Sequence, residues 1–305
     1  MGVSVLMSVY DDAEGANATI ESVLRQTGMD LQLVIVDDGA TQEVKQNAAN
    51  WVAKDDRITI MEQSNQGLTK ALINGAELCR HGYIARIDSG DVCLPGRLEK
   101  QAACLDADES LAFVGGDFEW VAPRGELMFT VRCHAKQIAS SLREADPDNL
   151  VGPGHVVVMF RKTAYVACGG YREQFYYAQD VDLWLRMIDQ GDFKSVDQTV
   201  VKAVFTASGA SGQFRMQQAE LKRLAAQSAQ LRRLGRDDST VLERAAQVVP
   251  AKSPPTSNIA AGWYFIARAV HRSDRRAARY YYRQALDAAP MLVKAWLFWL
   301  ISSIR

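Results

Sequence analysis

The sequence predicts an α/β protein: a mixed, mainly parallel sheet flanked by helices, doubly wound in its N-terminal half, with a helical C-terminal region. Three observations carry this. From residue 3 to about residue 90, short apolar runs rich in β-branched residues alternate with helical stretches. From about residue 110 the alternation loosens into a second, mixed half. After about residue 205 the chain reads as mostly helical.

The elements follow in order. VSVLMSV (3–9) is a buried strand, and the helical stretch after it closes near RQTG, where Gly28 suits a C-cap. LQLVIV (31–36) is a second strand, stopped by DDG; a polar helix covers roughly 41–54. RITIM (57–61) is a third strand. NQGLTKALINGAELCRHG carries a helix with Leu68, Leu72, Ile73 and Ala76 at helical spacing, and YIARI is a fourth strand. Strands separated by helices imply parallel βαβ units. In the second half LAFVGGDFEWV, ELMFTVR and HVVVMFRK read as strands and DVDLWLRMID as a helix. A Gln/Arg/Leu-rich helix ends in Gly235, VVPAKSPPTSN reads as a linker near 249–257, and two or three further helices follow.

Composition narrows the function. The chain has 305 residues, enough for a large core, with 48% hydrophobic and 23% charged residues, an ordinary globular balance. A formal net charge of -1 gives no whole-chain field for nucleic acid. The five cysteines form no C-x-x-C pair, which fits reduced thiols in the cytoplasm. MGVSVLMSVYDD lacks the basic region of a signal peptide, and Leu6 breaks the myristoylation pattern. APMLVKAWLFWLISSIR is interrupted by Lys294 and too short to span a bilayer. It suits a membrane surface, or a helix docked on the core, equally well.

In doubly wound sheets ligands bind beyond the C-terminal strand ends. The segments after strands one, two and four are YDD, DDG and DSGD, so the topology gathers three acidic loops at one edge. Asp37, Asp38, Asp88 and Asp91 then repel one another. Two unit charges 4 Å apart cost about 4 kcal/mol at an effective dielectric near 20, which favours a ligand or divalent cation among them. Singly, each acid reads as a turn former or cap. There is no G-x-G-x-x-G, Walker A, H-E-x-x-H or G-x-S-x-G pattern, so a glycine-loop nucleotide site, a metalloprotease and an α/β-hydrolase lose their weight. In AQDVDLWLRMID, Asp180 precedes Leu183, Trp184, Met187 and Ile188 at helical spacing, which puts it on the apolar face at the helix start. There it is either a partly desolvated general base or an N-cap. Asp182 and Arg186 read as an i,i+4 pair on the opposite face.

Taken together and in order, these segments resemble bacterial family 2 glycosyltransferases with the nucleotide-diphospho-sugar transferase (GT-A) fold, over roughly residues 3–190. The similar pieces are VSVLMSVYDDAEGANATIESVLRQT, LQLVIVDDGA, NQGLTKALINGA, YIARIDSGDVCLPGRLEKQ, GHVVVMFRKTAYVACGGYRE and AQDVDLWLR. The resemblance implies a catalytic domain over 1–205, with a nucleotide-sugar half to about 116 and an acceptor half beyond it. Residues 206–305 form the helical region. It implies Tyr10, Asp37, Asp38, Asn65, Arg86 and Asp88 at the nucleotide, Asp88 and Asp91 at a divalent cation (Mn2+ or Mg2+), Asp180 as base, and His155, Arg172 and Trp184 toward the acceptor. The implied reaction moves a sugar from a UDP-sugar or other NDP-sugar to an acceptor hydroxyl with inversion, in capsule, O-antigen or exopolysaccharide synthesis. The acceptor is a saccharide or lipid-linked saccharide, with peripheral membrane contact through the C-terminal helices.

The chain departs from the pattern twice. Gly90 stands where the family has an acid that commonly touches the metal, so Asp88 or Asp91 takes over, or metal binding is weak or lost. Gln179 stands where the family often has Glu before the base, which removes a negative neighbour of Asp180. Gly90 motivates a rival reading, an inactive nucleotide-sugar binder or scaffold with partner-binding C-terminal helices. Nucleotidyl transfer ranks last, because YDDAEGANA is acidic where such enzymes carry a basic, Gly-rich loop.

Overall fold

The computed structural model describes residues 2–207, 209, 214–248 and 256–302. The chain divides into two compact units: 1–118 with 132–202 and 220–249, and 119–131 with 203–219 and 250–305. Most of the linker expected at 249–257 lies outside the described residues, and a helix begins at Thr256.

The first unit opens with β1 (Gly2–Val9), α1 (Ala13–Leu24), β2 (Asp30–Asp38), α2 (Gln42–Val52), β3 (Ile58–Gln63), α3 (Leu68–Leu78) and β4 (Tyr83–Arg86). Both faces of β1 and β2 are buried, so they read as continuous apolar runs rather than alternating ones. Asp12 caps α1, accepting a hydrogen bond from Gly15 N at 2.8 Å, and Thr41 caps α2. Helix α3 packs close to the sheet because residue 75 has no side chain: a Cβ there would lie 2.5 Å from Leu6 and 2.6 Å from Val36. Val3, Val5, Met7, Leu33, Ile35, Tyr83 and Ile87 join Ile20, Val23 and Leu98 in one core. Each fully buried aliphatic side chain there contributes about 1.5–3 kcal/mol.

Next come β5 (Val92–Cys93), α4 (Arg97–Ala107), β6 (Leu111–Val121), β7 (Leu127–Val131), α5 (Ala135–Glu144), a 3-10 turn at His155–Val157, β8 (Met159–Arg161), α6 (Lys162–Ala167), α7 (Gln179–Met187) and β9 (Asp192–Val204). The sheet order is β3-β2-β1-β4-β8-β6-β9-β5, with β7 paired to β6. The β3-β2-β1-β4 half is parallel, while β8 is antiparallel to both β4 and β6. HVVVMFRK is not one strand. His155–Val157 forms a 3-10 turn in which the Val157 carbonyl accepts from Gln101 Nε2 at 2.7 Å, and pairing with β4 starts only at Val158, whose carbonyl accepts from Arg86 N at 2.9 Å. Helix α8 (Arg215–Arg233) anchors to this unit through Gln230 on Ala145 O and Arg233 on Leu142 O and Leu185 O, and α9 (Ser239–Ala246) follows it.

The second unit contains β7 and the helices α10 (Thr256–Val270), α11 (Arg275–Ala288) and α12 (Val293–Ile301). Ile266, Ala267, Val270, Ala278, Tyr281, Tyr282 and Ala285 form its core with Ala122 and Met128. The Tyr281 hydroxyl donates to Glu126 at 2.7 Å, so the polar tip of this buried ring is satisfied.

Candidate active site

Parallel register sets the site. Val9 pairs with Asp37 and Leu6 with Arg86, so the segments after β1, β2 and β4 leave the sheet at one edge. Tyr10 O accepts from Thr41 N at 3.3 Å, and Ser89 Oγ donates to Asp12 O at 3.5 Å, which ties the three loops together. Because β8 runs antiparallel to β4, the 3-10 turn bearing His155 comes to that same edge.

The acids there have different surroundings. Asp38 is buried, and both its oxygens are taken by one loop: Oδ1 accepts from Gln63 Nε2 and Gln66 N, and Oδ2 from Gly67 N, each at 2.8 Å. Asp37, also buried, accepts from Ala40 N at 2.6 Å, with Lys45 Nζ 3.9 Å away. Tyr10 and Asn65 are exposed beside them, and a Cβ on Gly39, whose φ is +77°, would lie 2.8 Å from Asn65 N. The two carboxylates therefore shape the loop that presents Asn65.

In the D-S-G-D turn Asp88 keeps 43% side-chain exposure and accepts from the fully buried guanidinium of Arg86, whose Nη1 donates to Leu6 O at 3.1 Å. Gly90 adopts φ +93°, a left-handed conformation that a side chain would strain. Thr19 Oγ1 accepts from Gly90 N at 3.0 Å and donates to Asp91 O at 2.7 Å, fastening the turn to α1. Asp91 is 5% exposed and lies near the buried Arg97. The Asp12 carboxylate stands 3.1 Å from where a Cβ on Gly90 would be.

Among the described residues no group of three or more His, Cys, Asp or Glu side chains is arranged to hold a metal ion. Family 2 enzymes commonly use a divalent cation. With Gly90 bare and Asp91 buried, this turn presents one carboxylate, Asp88, whose Oδ1 already faces Arg86. That donor set fits an ion carried in with a diphosphate rather than a preformed cage.

Asp180 is the second residue of α7, half-buried, and Val181 N donates to it at 2.8 Å. Burial raises its pKa from the ordinary 3.8 to about 6; the Asp88 charge pushes the same way, while its backbone donors and Arg86 oppose. His155 Nε2 and the Tyr171 hydroxyl are 2.8 Å apart. Burial, then the Arg86 charge, holds His155 well below its ordinary pKa, so it is neutral at pH 7. Arg86 Nε, Gln179 Oε1 and Trp184 Nε1 are buried without a hydrogen-bond partner among the described residues.

Three sequence-level placements change. Asp182 and Arg186 do pair at i,i+4, but in the interior, 1% and 3% exposed, where Arg172 joins them on Asp182. Arg172 also meets Asp238 at 3.3 Å and Ser228 Oγ at 2.9 Å, so its guanidinium serves an internal ion-pair network. Trp184 is fully buried, stacked on Phe113 at 5.4 Å, with its ring 6.0 Å from that of His155. The structure thus brings Arg86, Asp88, His155 and Asp180 into one electrostatic group and gives Arg172 and Asp91 other neighbours. Thr19, Asp12 and Tyr171 belong to the edge without having been singled out. All three sit in segments that carry the family likeness, Asp12 and Thr19 in the opening strand and helix and Tyr171 inside GGYRE.

A mixed sheet with this edge defines a GT-A-type transferase fold. Over 94% of this chain and 89% of the other, it superposes on the crystal structure of S. aureus TarS 1-349 in complex with UDP, with a TM-score of 0.56 at 14% identity, a likeness of fold alone. The model of "Glycosyl transferase family 2" matches residues 4–164, and the chain belongs to that family. It is 31% identical over 192 residues to the amylovoran biosynthesis glycosyltransferase AmsE of Erwinia amylovora, covering 62% of this chain and 70% of that one. It is 28% identical over 198 residues to the O-antigen biosynthesis glycosyltransferase WbnJ of Escherichia coli, covering 62% and 72%.

Proposed function

We propose that this glycosyltransferase moves a hexose from a nucleotide-diphosphate sugar, UDP before other bases, to a hydroxyl of a saccharide or lipid-linked saccharide, with inversion. The setting is cytoplasmic synthesis of a bacterial surface polysaccharide, at the inner face of the cell membrane. Catalysis is assigned to residues 1–205, with α8 and α9 buttressing the Asp182 network. The observation that carries the reading is Asp180: a carboxylate whose burial raises its pKa to about 6, close to neutral and still ionised at pH 7.5.

Asp180 takes the acceptor proton as the hydroxyl attacks the anomeric carbon. Arg86 orients Asp88 toward the ribose and diphosphate, while Tyr10 and Asn65 meet the nucleoside beside Asp37 and Asp38. Neutral His155, held by Tyr171, lines the acceptor side with an uncharged donor or acceptor. Asp88 would hold a divalent cation that arrives with the donor, and that ion would supply charge neutralisation to the departing diphosphate. Isothermal calorimetry of UDP, GDP and dTDP, followed by anomeric NMR of the product from the tightest-binding sugar nucleotide, tests the reading. Binding of UDP and an inverted product are expected; a retained anomer, or no nucleotide binding, overturns it.

The rival reading, an inactive nucleotide-sugar binder whose C-terminal helices hold a partner, rests on Gly90. It requires UDP binding with no UDP release from any sugar donor.

A further inference from the structure

Helix α12 is apolar on two opposite faces. Ala295, Phe298 and Trp299 pack inward, Phe298 stacking on Tyr282 with ring centroids 6.0 Å apart. On the other side Val293, Trp296, Leu297, Leu300 and Ile301 are 76%, 41%, 54%, 55% and 38% exposed. Their spacing is i, i+3, i+4, i+7 and i+8, one continuous outward stripe. Met291, 90% exposed, extends it. Scattered exposed apolar residues need no explanation, but a whole helix face does.

Two arginines of the neighbouring helices pack against the aromatic residues of this helix. The Arg268 guanidinium lies 4.0 Å from the centre of the Phe298 ring, and that of Arg279 lies 4.6 Å from Trp299. Arg276, Arg279 and Arg283 follow one another along the exposed face of α11. Residues 256–302 carry seven lysines and arginines against two aspartates, in a chain whose formal net charge is -1. The helices that carry the exposed apolar stripe thus hold a net positive charge.

We propose that the outward face of α12, with the arginines of α10 and α11, is a docking surface for an anionic lipid bilayer. An apolar stripe alone would suit many partners; the basic rim selects. A second copy of this chain would bring like-charged rims together, which opposes self-association. A bilayer offers an apolar layer for Leu297 and Leu300, an interfacial layer for Trp296, and negative headgroups for the arginines. At 1.5 Å per residue the nine residues of α12 reach about 13 Å, less than half a hydrocarbon core, so the helix lies along the surface. Among the described residues no helix is long and apolar enough to cross a membrane. The inference extends the proposed function by naming the surface that brings the enzyme to a lipid-linked acceptor.

The test is co-sedimentation of the full chain with vesicles of phosphatidylcholine alone and of phosphatidylcholine with about a third phosphatidylglycerol. The unchanged chain binds the anionic vesicles and is released as salt rises. Leu297→Glu with Leu300→Glu lowers partitioning at least tenfold, and Arg276→Glu with Arg283→Glu lowers it comparably. Far-ultraviolet circular dichroism and nucleotide binding stay unchanged in both pairs. Equal sedimentation of unchanged and altered chains overturns the proposal, as does no sedimentation of either. Self-association in analytical ultracentrifugation that the Leu297→Glu, Leu300→Glu pair abolishes reassigns the face to a second copy. Vesicle binding reads no sugar transfer, so it fails or stands separately from the proposed reaction.

Discussion

Helix α7 carries two aspartates in neighbouring regions of the first unit, Asp182 buried and Asp180 half-buried. Around Asp182 lie Arg172 and Arg186, both in salt bridges with it, backed by Ser228 and Asp238. Around Asp180, two residues earlier, lie Arg86 at a distance, the Asp88 carboxylate and the backbone N–H groups of Val181 and of Asp180 itself. One region neutralises its buried charge within the fold; the other leaves it under-compensated, and its pKa rises to about 6. Burial alone therefore does not mark a reactive group. What distinguishes Asp180 is desolvation with no salt bridge among the described residues.

The comparison breaks most directly at Asp180→Asn. Turnover falls by about 10²–10⁴ while UDP affinity stays within a factor of a few, read by a UDP-release assay and calorimetry. Near-normal turnover would remove Asp180 from the chemistry. Asp182→Ala tests the other region. It leaves two arginines facing each other in the interior and lowers folding stability by about 3–5 kcal/mol in urea denaturation. A loss under 1 kcal/mol would show that the network is not a structural clamp.

The pH dependence sharpens the contrast. If Asp180 must be ionised, kcat/KM falls about tenfold per pH unit below its pKa and levels off above about 7. The stability sign runs opposite. Below about pH 4 Asp180 is protonated in both folded and unfolded chains; from about 4 to 6 the unfolded chain ionises first, so stability falls across that window. Asp180→Asn keeps an acceptor for Val181 N and is expected to be more stable at pH 7.5 by up to about 3 kcal/mol, a gain absent at pH 4. Thermal melts at both pH values check this.

Smaller effects follow. Gln179→Glu restores a negative neighbour and moves the acid limb of kcat/KM upward by up to about one unit; an unmoved limb would mean that side chain does not sense Asp180. Calorimetry with Mn2+ is expected to show binding only in the presence of UDP, because the turn offers Asp88 alone. Tight binding to the free protein would contradict that.

The parallel half of the sheet was legible because β1 and β2 are apolar without interruption and turn residues bound them. Strand β9 was not: DFKSVDQTVVKAV mixes buried, half-buried and exposed positions around Asp197 and Gln198, so no period shows. Helix α5 went unread beside it. At the site, the apolar spacing after Asp180 placed it on the inward face. Asp182 misled because an i,i+4 Asp–Arg pair looks alike on a surface or in an interior. Its burial depends on Arg172, ten residues back, and on Ser228 and Asp238 near α8 and α9. Local periodicity carries no information about such partners. Thr19 was hidden for the same reason, its contacts with Gly90 and Asp91 lying more than seventy residues away.

The three donors on Asp38 have a kinetic corollary. Residues 63–67 are held from beneath by a carboxylate that belongs to the sheet, so their ordering entropy is lost once, during folding, and not again at each catalytic cycle. For the nucleotide proposed to bind at that rim, the seat is already formed, and its association rate is expected to be set by diffusion and charge rather than by loop closure.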